Sequence, residues 1–202
     1  MLDCCWGVDQ NRCFSGGIDR VVKTYDFGSS TETVLGEHEK GVKAVCWQKE
    51  LGAVVSGGWD KQIKVWDARA AKCTASSEVP DKVFTMAVTS NRIVVGTANR
   101  HVWVYDVRNL KEPEQKRESS LKFQTRCIRA YPDGSGYALS SIEGRVAMEY
   151  FDPAPEFQSR SPPPPAARRH GADPVLLSFG GCPSSSSPRG VPIIQLRSVS
   201  II

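Results

Sequence analysis

His38, Ser56 and Asp60 are the residue types of a hydrolytic triad, in which an imidazole takes a hydroxyl proton and a carboxylate steadies the imidazole. Two features count against that chemistry. The set is periodic, because Ser15 and Asp19 precede Ser56 and Asp60 by 41 residues, with Tyr25 standing where the second copy has Trp66. A constellation that follows a repeat is scaffold before it is catalyst. The chain also has only His38, His101 and His170 as histidines, no glycine-rich phosphate loop and no metal-ligand spacing, so no set of residues meets the roles that catalysis needs. No enzyme, metal or cofactor is expected.

The elements that would position these residues are read from the stretch Val55-Ser-Gly-Gly-Trp-Asp-Lys-Gln-Ile-Lys-Val-Trp-Asp67, a strand, a tight turn and a second strand ending in Trp-Asp. Ser15–Asp26 stands 41 residues upstream of it, and Val94–Asp106 closes in the same way 39 residues after Asp67. A period near 40 residues with a closing Trp-Asp is that of a WD repeat: four strands per unit, stacked as blades, because one such sheet cannot cover both of its faces alone. The fold class expected is all-β, a WD-repeat β-propeller of about four blades, at about 1–35, 36–77, 78–117 and 118–158. In WD repeats the positions of His38, Ser56, Asp60 and Trp66 carry a buried hydrogen-bond chain from indole to hydroxyl to imidazole to carboxylate. Gly36-Glu-His38 fits as the Gly-His that opens many such units. In the third blade Gly96, Asn99 and Tyr105 replace the chain. The fourth blade starts at Thr125, turns at Pro132-Asp-Gly134 and should gain its outer strand after Phe157.

Composition bounds the partners. The net charge is +4, yet residues 1–158 hold 21 Lys or Arg against 21 Asp or Glu, so the excess lies in the tail. A neutral folded part gives no support for direct nucleic-acid binding. No apolar run approaches a membrane span, and the start of the chain is not a secretory signal. The seven cysteines, Cys4, Cys5, Cys13, Cys46, Cys73, Cys127 and Cys182, form no C-x-x-C pair and read as reduced thiols, several of them at strand positions. From Ser159 to Ile202 four consecutive prolines, a Ser184–Ser187 run and scattered Gly and Arg replace any strand period, and this 44-residue tail is expected to be disordered. Lys111 to Lys122, with mixed charges, is expected to be a solvated loop between strands.

Aligning the repeats singles out three further residues. The turn position before the repeat Asp is Ile18, Trp59, Ala98 and Ile142 in successive blades, so only one blade puts a large aromatic there. The starts of the innermost strands read Leu2, Lys43, Phe84 and Arg126, and the position of Arg145 is filled elsewhere by Val21, Gln62 and His101. These turns and strand starts share one rim of a propeller, which makes Trp59, Arg126 and Arg145 departures from the repeat on a common face. Trp and Arg dominate peptide hot spots, and the planar fork of Arg suits carboxylate or phosphate. The competing reading packs Trp59 on its own turn and pairs the arginines with Glu143 or Glu149.

Three tracts together, Trp59–Asp67, Arg117-Glu-Ser-Ser-Leu-Lys-Phe-Gln-Thr-Arg-Cys-Ile-Arg129 and Ser140-Ser-Ile-Glu-Gly-Arg-Val-Ala-Met-Glu-Tyr150, resemble the Bub-type mitotic-checkpoint WD-repeat family nearly continuously over residues 1–158. The mRNA-export members of the same subfamily share the Ile-Glu-Gly-Arg-Val-Ala tract, but the Arg117–Arg129 tract suits the checkpoint members better. The resemblance implies a seven-bladed ring, so an open or incomplete ring is expected here, lacking a blade before Met1 and two after Ser159. It implies a non-catalytic scaffold of the spindle assembly checkpoint. The partners implied are checkpoint kinases carrying GLEBS peptides and a kinetochore scaffold with phosphorylated Met-Glu-Leu-Thr repeats; nothing indicates ubiquitin binding. The positions of Trp59 and Arg126 would grip the GLEBS peptide and that of Arg145 would meet the phosphate, the family's second basic phosphate contact lying beyond Gln158. The place implied is the nucleus, with the kinetochore in mitosis and the cytoplasm also open. The alternatives are an mRNA-export adaptor at the nuclear pore, or a fragment without activity.

Overall fold

The computed structural model describes residues 1–8 and 11–152, which belong to one compact unit. The element order is β1 (Asp3–Trp6), β2 (Arg12–Gly16), β3 (Val21–Asp26), β4 (Thr31–Glu37), β5 (Val42–Gln48), β6 (Ala53–Gly58), β7 (Gln62–Asp67), β8 (Lys72–Glu78), β9 (Val83–Val88), β10 (Arg92–Thr97), β11 (His101–Asp106), β12 (Gln115–Glu118), β13 (Thr125–Ala130), β14 (Gly136–Ser141) and β15 (Val146–Tyr150). They pair as β1–β4, β5–β8, β9–β12 and β13–β15, every pair antiparallel between consecutive strands. The protein is therefore an all-β WD-repeat propeller, incomplete over the described residues at four blades.

Three apolar clusters correspond to the three interfaces between consecutive blades. Phe14, Val22 and Leu35 meet Val42, Val45, Val54 and Trp66 between the first and second blades. Val55, Ile63 and Val65 meet Met86, Ile93, Val95 and Tyr105 between the second and third. Val94, Val102 and Val104 meet Ile128, Tyr137, Leu139 and Phe151 between the third and fourth. A middle blade is covered on both faces, which is why β6 is buried at every position and reads as an unbroken apolar and small run rather than an alternating one. Polar groups also cross the interfaces. Val45 N donates to Asp3 Oδ2 at 2.9 Å, Gln48 Nε2 donates to Thr89 O and Ser90 O at 3.1 and 2.7 Å, and Ile128 N donates to Thr85 Oγ1 at 3.0 Å.

Four connections have the same shape. Arg20, Lys61, Arg100 and Gly144 follow the repeat Asp position and sit at φ of 70°, 64°, 64° and 78°, the left-handed region that closes a tight turn. Two expectations need correction. The segment from Lys111 to Lys122 is not simply a loop, because β12 lies inside it as the outer strand of the third blade: Gln115 and Arg117 turn inward while Lys116 and Glu118 face solvent. A strand with one wet face carries charges at alternate positions, which in sequence resembles a solvated connection. The position equivalent to Ser56 in the third blade is Val95 rather than Gly96, since Val45 pairs with Ser56 and Met86 with Val95. The strand expected after Phe157 and the tail from Ser159 lie outside the described residues.

Candidate functional site

The residues that look like a triad form a buried chain in the second blade. Trp66 Nε1 donates to Ser56 Oγ at 2.7 Å, Ser56 Oγ lies 2.7 Å from His38 Nε2, and His38 Nδ1 lies 2.9 Å from Asp60 Oδ2. Burial holds the His38 pKa below its ordinary value, against the opposing pull of Asp60. A neutral imidazole donates from one nitrogen, and a carboxylate can only accept, so the proton sits on Nδ1 and the Ser56 hydroxyl donates to Nε2. Asp60 accepts two further bonds, from Glu39 N at 3.1 Å and Gln62 N at 3.2 Å. Ser56 is fully buried and His38 nearly so. A nucleophile must meet its substrate, and among the described residues this buried hydroxyl is bonded to an indole and an imidazole. The chain closes against Gly36, where a Cβ would collide with the Trp66 ring.

The rim residues are placed by the same turns. Trp59 begins the β6–β7 turn, and its N–H donates to Gly41 O at 2.9 Å, beside the start of β5. Its half-buried ring lies across Gly41, where a Cβ would meet Cε3 at 3.1 Å, so it leans on the connection between the first two blades rather than on its own turn. Trp59 Nε1 is buried without a hydrogen-bond partner among the described residues. An orphaned buried donor is rare and asks for an acceptor.

Arg126 is exposed, in the first residues of β13, and no hydrogen bond or ion pair engages it among the described residues. Its strand is irregular there: Thr125 pairs with Ser141 and Cys127 with Ser140, leaving Arg126 as the extra residue of a β-bulge. Ile142 N donates to Gln124 O at 3.1 Å, which joins the start of β13 to the β14–β15 turn that carries Arg145. Arg145 keeps 64% of its side chain exposed, with Nε 3.5 Å from Glu143 Oε2. Trp59, Arg126 and Arg145 thus occupy the same rim, the two arginines in one blade and Trp59 two blades earlier. Of the competing pairings, Arg145 with Glu143 is present, and at this exposure such a pair is worth little.

Glu149 serves neither arginine. It accepts from Tyr137 Oη at 2.6 Å and from Ser120 Oγ at 3.0 Å, tethering the connection that leads into β13. Burial, and then this carboxylate, push the Tyr137 pKa up. Sequence reasoning missed this tether, although Tyr137 and Glu149 are direct cross-strand partners once the hairpin is drawn. It also missed the bulges.

The six described cysteines are free, and burial pushes the Cys46 thiol up to about 12, where it is an apolar filler rather than a nucleophile. Among the described residues no group of His, Cys, Asp and Glu could hold a metal ion, and no helix is long and apolar enough to cross a membrane.

Comparison with known proteins agrees with this architecture. Residues 29–67 match the family described as "WD domain, G-beta repeat". The chain is 47% identical over 157 residues to "Mitotic checkpoint protein BUB3.1" of Arabidopsis thaliana, covering 75% of this chain and 46% of that protein. It is 47% identical over 163 residues to "Mitotic checkpoint protein bub3" of Dictyostelium discoideum, covering 79% of this chain and 49% of that protein. Similarity to "mRNA export factor rae-1" of Caenorhabditis elegans is lower, 34% over 164 residues, covering 76% of this chain and 44% of that protein. The chain spans about half the length of the curated relatives it matches. At 47% identity over about three quarters of its length, this WD-repeat chain is similar to Bub-type mitotic-checkpoint proteins.

Proposed function

We infer that the protein is a non-catalytic, peptide-binding scaffold of the spindle assembly checkpoint. It takes GLEBS peptides of checkpoint kinases through Trp59 and Arg126, and phosphorylated repeats of a kinetochore scaffold through Arg145. The observation that carries this reading is the rim itself. An aromatic with an unanswered buried N–H and an arginine with no ion pair among the described residues stand on one face, and both depart from the repeat. An indole anchor and a free guanidinium match an acidic peptide with apolar residues. The reading places the protein in the nucleus and, in mitosis, at kinetochores. The buried state of Ser56 and His38 supports a scaffold over a hydrolase.

The mRNA-export reading shares this architecture, and the higher identity to checkpoint relatives favours the first. Pull-down of the full chain with a GLEBS peptide from a checkpoint kinase, beside one from a nuclear-pore protein, separates them. Preference for the kinase peptide is expected; preference for the pore peptide overturns the assignment.

A further inference from the structure

The bulge at Arg126 is one of three on inner strands among the described residues. In the second blade Val42 pairs with Gly58 and Ala44 with Gly57, so Lys43 is the extra residue; in the third Val83 pairs with Thr97 and Thr85 with Gly96, so Phe84 is. A bulge bends its strand and re-aims the side chain it carries, and bulges are over-represented at sheet edges, at rims and next to active sites. Here the device recurs at the same position of three consecutive inner strands. The residues it re-aims are not alike: a cation, an aromatic and a cation. Lys43 and Phe84 are half-exposed and Arg126 is exposed. No hydrogen bond or ion pair engages Lys43 or Arg126 among the described residues. Asp3, whose carboxylate feels the charge of Lys43, is committed to the amides of Val45 and Cys4 at 2.9 and 3.0 Å.

We propose that Lys43, Phe84 and Arg126 form one extended-peptide subsite running from blade to blade along the inner rim, with the pattern acidic-x-x-apolar-x-x-acidic. The proposal rests on the peptide-binding reading and specifies its ligand. The spacing comes from sheet geometry. Packed sheets stand about 10 Å apart and an extended chain advances about 3.3 Å per residue, so successive blades meet every third peptide residue. The pattern reads the same in both directions along the chain, so it does not depend on peptide polarity. Nucleic acid fits poorly, because residues 1–158 carry as many acidic as basic side chains, 21 of each, and a polyphosphate would face both signs. Trp59, beside the start of β5, adds apolar surface at the Lys43 end.

The test is fluorescence anisotropy on the full chain with three labelled peptides: Gly-Ser-Glu-Ser-Gly-Leu-Ser-Gly-Glu-Ser-Gly, the same composition with the two Glu adjacent to Leu, and a version with one Glu replaced by Lys. The spaced peptide is expected to bind at least tenfold more tightly than the compact one. Lys43→Glu should cost at least tenfold on the spaced peptide and regain most of that loss on the Lys-containing version. Phe84→Ala should cost at least tenfold on all three. Should Phe84→Ala lower the melting temperature, the Lys43→Glu charge swap, at a side chain with no hydrogen bond among the described residues, decides alone. Equal binding of spaced and compact peptides, or Lys43→Glu within twofold of the parent, overturns the proposal. A GLEBS peptide measured in parallel keeps the two readings apart. If it binds through Trp59 and Arg126 and ignores Lys43 and Phe84, the subsite falls and the checkpoint reading stands; if the spaced peptide binds and GLEBS does not, the reverse holds.

Discussion

Ser56→Ala removes one oxygen and should destabilise the protein far more than its size suggests. The hydroxyl is at once the acceptor for Trp66 Nε1 and the donor to His38 Nε2, each at 2.7 Å, in a fully buried site. Deleting it leaves a buried indole N–H and a buried imidazole nitrogen without partners. Each orphan costs about 1–3 kcal/mol, so the pair is worth ~3–4 kcal/mol. At about 2–4 °C per kcal/mol for a domain of this size, the melting temperature should fall by ~6–16 °C. Thermal melting followed by circular dichroism measures it, with Ser76→Ala on the exposed face of β8 as a control expected within about 0.5 kcal/mol of the parent. The mechanism makes a sharper claim. Trp66→Phe removes the orphaned donor, so the double variant should be less destabilised than the sum of the singles by ~1–2 kcal/mol. Additive effects, or a Ser56→Ala melt within 2 °C of the parent, would refute the chain as a load-sharing unit.

Other expectations follow from the same geometry. Trp59→Ala and Arg126→Glu should each weaken GLEBS binding by at least ~2 kcal/mol, about thirtyfold, by calorimetry; both within threefold of the parent, with folding intact, would remove the site assignment. His38 titrates lower in the folded state than its unfolded value of ~6.5, so the unfolded chain binds the extra proton first and stability falls as pH drops below that value, by up to ~1.4 kcal/mol per unit until the folded pKa is passed. Melting at pH 7.5 and 5.5 should show the loss, and His38→Asn should flatten it; an unchanged slope in the variant would contradict it. Gly36→Ala drives a Cβ into the Trp66 ring and should cost ~1–3 kcal/mol in a denaturant melt, whereas a neutral effect would mean that the ring has room to move.

What the sequence makes legible is what repeats. Strand periods, turn residues and the aromatic-Asp closures recur at nearly constant spacing, and the tract Ser15–Asp26 resolves into the end of β2, a turn and the whole of β3. The polar chain is legible for the same reason. Less so is anything decided by register. A bulge is a property of how two backbones pair, and nothing in Val42-Lys43-Ala44 distinguishes it from a regular strand until Gly57 and Gly58 are set opposite. The Trp59 ring resting on Gly41 likewise needs two segments from different connections brought together, which periodicity does not report. The outer strand β12 was hidden by its charge, since one wet face and short length erase the apolar signal.

Comparing blades shows what the buried chain contributes. The third blade keeps its sheet and its packing with Val95 in the Ser56 place and Tyr105 in the Trp66 place, the Tyr105 hydroxyl reaching out to Glu78 O at 3.2 Å. Its turn is held differently, by Asn99 Nδ2 donating to Asp81 Oδ2 at 2.7 Å on an exposed edge. A hydrogen-bond chain is therefore not needed to make a blade. In the second blade it ends on Asp60, the residue next to Trp59, and that carboxylate is fixed by His38 Nδ1, Glu39 N and Gln62 N together. Three fixed bonds on one carboxylate leave the turn a single geometry, and a binding aromatic is worth most where its position is settled before the partner arrives. The chain from Trp66 to Asp60 thus ties the core of the blade to the turn proposed to anchor the peptide, so a break at Ser56 should loosen the Trp59 turn as well as lower the melting temperature.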